Sequence, residues 1–85
     1  MEMALNTRKK RLKFRCWHRG SREADLLLGT FADRYLDEMS FSNVIELETI
    51  VDCDDQTIWE WITGVTVVPQ GISQSMIHNL KSILS

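Results

Sequence analysis

The chain has one proline, four isolated glycines, two cysteines and no long apolar run among its 85 residues. Each scarcity excludes something. No stretch approaches the ~20 apolar residues that a membrane-spanning helix needs. The N-terminus shows no basic segment leading into an apolar signal core. A soluble, unsecreted protein with no direct membrane insertion is therefore expected. Cys16 and Cys53 form no Cys-x-x-Cys pair and have no histidine cluster nearby, which argues against a disulfide framework or a zinc site. Both are expected to be small apolar fillers in a reducing cytoplasm. Gly20, Gly29, Gly64 and Gly71 stand singly, so no phosphate-cradling loop is present. His18 and His78 lack partners at ligand spacing, and no metal is expected. Ser21 lies in Gly-Ser-Arg-Glu without the second glycine of a hydrolase elbow. The Asp54–Asp55 pair reads as the start of a helix rather than as an acid–base pair. No catalytic residues are assigned, and the chain is not expected to be an enzyme.

What the chain does have is 44% hydrophobic residues and a lopsided charge. At this length a second core would leave each half too small, so residues 1–85 are read as one domain, with residues 1–6 flexible. Arg8, Lys9, Lys10, Arg11, Lys13, Arg15, Arg19 and Arg22 carry nearly all the basic charge, leaving Arg34 and Lys81 beyond. Two readings stay open: a solvated first helix, or a basic end that meets an anionic partner. If that partner were nucleic acid, Arg8 to Arg15 would supply phosphate contacts and Trp17 a stacking surface. The lack of a recognition motif and the net charge of -2 weigh against it.

Apolar periodicity predicts five helices. The first, residues 6–18, pairs Leu12 with Cys16 and Phe14 with Trp17 at helical spacing and ends at Gly20. Ser21 caps the second, which runs to about Glu38 with Ala24, Leu27, Leu28, Phe31 and Tyr35 as its core stripe, widened by Ala32, Leu36 and Met39. Within it, Gly29 marks close helix packing. Ser40 opens a third helix with Val44, Leu47, Ile50 and Val51 inward. Asp54 or Asp55 caps a fourth, which stops at Gly64. Trp61 should face the core with Ile58 and Ile62, leaving Trp59 at the edge for packing or partner contact. Residues 65–71 read as an extended loop, because no second strand exists to pair with them. A last helix, residues 73–84, buries Ile72, Met76, Leu80 and Leu84, with Ile77 and Ile83 beside them. The fold class is thus all-α: a compact bundle of about five short helices.

Arg19, Gly20, Arg22 and Glu23 bunch at the corner between the first two helices. By spacing, this is a glycine cap flanked by solvated charges. The same corner offers guanidinium forks, bare backbone and a carboxylate to a partner. Trp17 is open between core anchor and exposed contact.

The run from Arg11 to Phe31, with Arg19-Gly-Ser-Arg-Glu-Ala-Asp25 at its centre, resembles the succinate dehydrogenase flavinylation factors, the SdhE family, whose signature is Arg-Gly-x-x-Glu-x-Asp. Cys53-Asp-Asp-Gln-Thr-Ile-Trp-Glu-Trp-Ile-Thr-Gly64 is similar to that family's acidic turn and tryptophan-bearing helix, and order and spacing agree over roughly residues 8–64. There are departures. Asn43 stands where a capping-box Glu is common, Gln56 replaces a frequent proline, and Ser21 stands where Met or Thr is frequent. None touches Arg19, Gly20 or Glu23.

The resemblance implies an assembly factor, expected to be monomeric; the absence of a transit-like leader favours a bacterial cytoplasm over an organelle. Such a factor would bind the flavoprotein subunit of succinate dehydrogenase, or of fumarate reductase, and promote covalent attachment of that subunit's FAD to a histidine. It would bind no cofactor stably itself. By the same resemblance Arg19, Gly20 and Glu23 form the contact centre, with Arg11, Arg15, Trp17, His18, Arg22 and Asp25 around it. A separate expectation is that Arg19 stabilises negative charge on the reduced flavin.

Overall fold

Four of the five helices begin at a side chain chosen for the task. In the computed structural model, which describes residues 2–84 with side chains from Ala4 to Leu84, the order is α1 (Glu2–Trp17), α2 (Arg22–Tyr35), a 3-10 turn (Leu36–Glu38), α3 (Phe41–Val51), α4 (Asp55–Thr63) and α5 (Gln74–Ser82). Ser21, Ser40, Asp54 and Ser73 each accept a hydrogen bond from the backbone N–H three residues on. Each such cap supplies about 1 kcal/mol. Gly64 ends α4 in the left-handed region at φ 79°, where a side chain would be strained. Of the two aspartates, Asp54 is the cap; its bonding to Thr57 holds its carboxyl below the usual carboxylate range. Among the described residues all regular structure is helical, as expected.

The core is assembled from the predicted stripes. Leu12 and Cys16 of α1 meet Leu27, Leu28, Phe31 and Ala32 of α2. Val44, Leu47, Ile50 and Val51 of α3 lie beneath them, all 2% exposed or less. Ile58, Trp61 and Ile62 of α4 pack with Met76, Ile77 and Leu80 of α5, and Ile72 closes the end of the 65–71 loop. That loop forms no strand, and its Val65 and Val67 face solvent.

Five details differ from the sequence reading. α1 begins at Glu2 rather than near residue 6, because Leu5 extends the Leu12–Cys16 stripe onto the core; Met1 lies outside the described residues. α2 stops at Tyr35 and tightens into the 3-10 turn, which keeps Leu36 buried but leaves Tyr35 43% exposed. Phe14 pairs with His18, their rings stacked at 3.9 Å, instead of with Trp17. Leu84 is 53% exposed, because α5 ends at Ser82, before its stripe reaches that residue. Cys53 is only half-buried, its Sγ placed 3.5 Å from the Thr49 carbonyl oxygen.

Cys16, by contrast, is fully enclosed, and burial pushes its thiol up to about 12 from an ordinary 9.0. The unfolded chain releases this proton near pH 9 and the folded chain does not. Stability that is intact below pH 9 should therefore fall as pH rises toward 12, by up to roughly 1.4 kcal/mol per pH unit. Urea titrations at pH 8 and pH 10 should show this slope in the wild type, and a smaller one in Cys16→Ala. Equal slopes in the two proteins would assign the alkaline loss to other groups.

Candidate functional site

The turn between α1 and α2 is held by two aspartates that point back at it. Asp25, in the first turn of α2, accepts a 2.6 Å hydrogen bond from the Arg19 backbone N–H. Asp55, the first residue of α4, accepts from Arg19 Nε at 2.9 Å and from Ser21 Oγ at 3.3 Å. The two remaining guanidinium nitrogens of Arg19 donate to Val51 O and, at 2.6 Å, to Cys53 O. Those carbonyls lie at the end of α3, where a helix runs out of N–H partners and its dipole favours a cation. One arginine thus caps α3, meets the first-turn carboxylate of α4 and pins the α1–α2 corner to the α3–α4 corner. Its side chain is 11% exposed.

The residue after it is the opposite. Gly20 is exposed, with φ 100° and nothing within 4 Å of where a Cβ would stand. Arg22 and Glu23 are exposed beside it, at the N-terminus of α2. His18 sits on the other flank, its Nδ1 2.7 Å from Phe14 O and its ring against the exposed Phe14. Trp17 resolves as a half-buried wedge: its ring lies on Gly29, and its Nε1 donates to Asp33 Oδ1 at 3.2 Å. The corner therefore presents bare main chain, one carboxylate, one guanidinium and an aromatic flank on a rigid support.

A scan against protein families matches residues 10–84 to a family described as the flavinator of succinate dehydrogenase. The chain belongs to that family. It is 32% identical over 76 residues to the FAD assembly factor SdhE of Acetobacter pasteurianus, covering 89% of this chain and 70% of that protein. It is also 39% identical to a mitochondrial succinate dehydrogenase assembly factor 2 of Penicillium rubens, with 84% and 22% covered. A Drosophila mojavensis assembly factor 2-B shares 34% identity, with 91% and 50% covered. The chain thus spans most of the bacterial relative and half or less of these two mitochondrial ones. No solved structure matches it. None of the helices described is long and apolar enough to cross a membrane.

Of the nine residues that the family resemblance singled out, the fold brings Trp17, His18, Arg19, Gly20, Arg22 and Glu23 together around the corner, with Asp25 bracing it from within. Arg11 and Arg15 lie lower on α1, in an open cleft against α3 with Arg8 and Glu48. Arg15 is already paired with Asp52 there. Half of the basic stretch is answered inside the molecule: Arg8 by Glu48, Lys13 by Asp33, Arg15 by Asp52 and Arg19 by Asp55, while Lys9 donates to Asp37 O. Charge that looks available for phosphates in the sequence is partly neutralised in the fold, and the nucleic-acid reading gains no support.

Asp55 joins the candidate site through Arg19 and Ser21. The sequence signal for it is the doubled aspartate at the start of α4: a helix start needs one cap, and Asp54 supplies it, leaving Asp55 for another task.

Proposed function

We propose that this chain docks on the flavoprotein subunit of succinate dehydrogenase and promotes covalent attachment of that subunit's FAD, as a binding partner rather than a catalyst. The observation that carries the reading is the Gly20 corner, exposed main chain in a left-handed turn beside Arg22 and Glu23, in a chain of the flavinator family. A small rigid domain of this kind lowers a barrier by holding its partner in one arrangement. The histidine and the flavin carbon then stay aligned, and the cost of ordering is met before the bond forms. Arg19 contributes from behind the surface: its guanidinium shapes the turn that displays Gly20, which is a different task from contacting the flavin. The setting proposed is a bacterial cytoplasm, in keeping with the Acetobacter relative.

The test is covalent flavin. Wild-type protein, apo flavoprotein subunit and FAD are mixed, and flavin fluorescence is read in the gel after denaturation. Wild type should raise the signal several-fold. Gly20→Arg, which puts a side chain into the open space and onto left-handed backbone at φ 100°, and Glu23→Ala, which leaves the backbone unstrained, should each abolish most of the rise while keeping their helical circular dichroism. A wild type that neither binds the subunit nor changes its covalent flavin would sink the proposal.

A further inference from the structure

Glu23, Leu26, Thr30 and Arg34 recur at steps of three and four residues along α2 and form one wall of an open groove. Trp59 of α4 and Ile83–Leu84 beyond α5 form the other wall. The groove encloses about 370 Å³ and is mainly apolar. Leu26 and Leu84 are 49% and 53% exposed across it, although each is large enough to belong in a core. Its two ends are charged and opposite in sign: Glu23 at the start of α2 and Arg34 in its last turn. Among the described residues neither makes a salt bridge. Eleven residue steps of helix, roughly 16 Å, separate them.

We infer that this groove is a second half of the docking surface and takes an apolar segment of the flavoprotein subunit that carries a basic group facing Glu23 and an acidic group facing Arg34. The inference rests on the proposed function and extends it. The groove is continuous with the corner: Glu23 belongs to both, and Leu26 lies one helical turn beyond Glu23. Eight residues line the groove, whereas a stable interface takes about 20–30 a side. The groove is thus too small to hold a second copy of this chain by itself, but it suits one anchor pocket within a larger contact, where a buried apolar side chain carries much of the energy. Trp59, left at the edge of α4 while Trp61 enters the core, then has a use: it supplies a flat apolar wall.

The experiment is titration of the flavoprotein subunit into the full chain, read by calorimetry and by tryptophan emission, with light scattering of the free protein. Leu26→Asp and, on the opposite wall, Leu84→Asp should each weaken binding at least tenfold while keeping wild-type circular dichroism. Arg34→Glu should weaken it about threefold or more. The blue shift of emission on binding should shrink in Trp59→Phe, the remainder belonging to Trp17 at the corner. If both Asp variants bind as tightly as wild type while Gly20→Arg does not, the groove plays no part and the corner reading survives alone. If wild type itself fails to bind, both readings fall. If the free protein is a dimer that Leu26→Asp dissociates, the occupant is a second copy and the inference is overturned.

Discussion

Gly29→Ala should destabilise the protein by about 2 kcal/mol, although alanine is the better helix former. A Cβ at this position would lie 2.2, 2.3 and 2.5 Å from three ring atoms of Trp17, distances no packed carbon tolerates. These atoms belong to the fused ring itself, not to the tip of a flexible chain. The gain from helix propensity is about 1 kcal/mol. Against it stands displacement of the indole, which loses its seat on α2 and its bond to Asp33, at about 2–4 kcal/mol for overpacking and lost burial. The second effect wins. A fall in Tm of roughly 10 °C should follow in a domain of this size. The decisive arm is the Trp17→Ala background, in which the ring is gone. There Gly29→Ala should reverse sign and stabilise by several tenths to 1 kcal/mol, a coupling that a double-mutant cycle reads directly. If Gly29→Ala raises Tm in the wild-type background, the ring does not sit where the packing places it.

The second large effect concerns the latch. Arg19→Ala would leave Asp55 without its cation and the Val51 and Cys53 carbonyls without their donor, at the end of α3, whose inner face is buried. Breaking one partner of a buried pair costs about 3–5 kcal/mol, but the Asp55 side chain is 27% exposed, and about 2–3 kcal/mol is the expectation here. Arg19→Lys should recover less than half of that. One ammonium cannot reach the carboxylate and two carbonyls that the planar fork spans. Asp55→Ala should cost less than Arg19→Ala, since Arg19 would keep its two carbonyls, and the two sites should couple by about 1–2 kcal/mol. Chemical denaturation gives all of these. Flavinylation measured on the same variants separates the roles of Arg19: activity should fall in step with the loss of the latch. An Arg19→Lys protein as stable as wild type but inactive would instead show that the guanidinium acts on the partner or its flavin directly.

Little of the architecture was hidden from the sequence. Ser21, Ser40, Asp54 and Ser73 stand before apolar stripes, and Gly64 stands after one; capping and helical periodicity are local, so they are readable from neighbours three and four residues apart. The errors fall where a stripe meets the end of its support. Tyr35 and Leu84 have the right spacing but lie where the helix tightens or stops. The exposed Phe14 stacks on His18 one turn on, while Trp17 turns to Gly29 and Asp33 of α2.

The all-helical class, four of the five helix starts, most of the core and the Arg-Gly corner near Glu23 are legible in the chain, because each depends on residues close along it. What the corner's groups do is set by contacts distant along the chain. Arg19 faces inward because Val51, Cys53 and Asp55, more than thirty positions away, offer unsatisfied oxygens where the chain folds back. Gly20, next along the chain and in the left-handed region at φ 100°, is left in the open. The apolar groove beside Glu23 likewise exists only when α2, α4 and the end of α5 are brought together, a juxtaposition that no local pattern encodes.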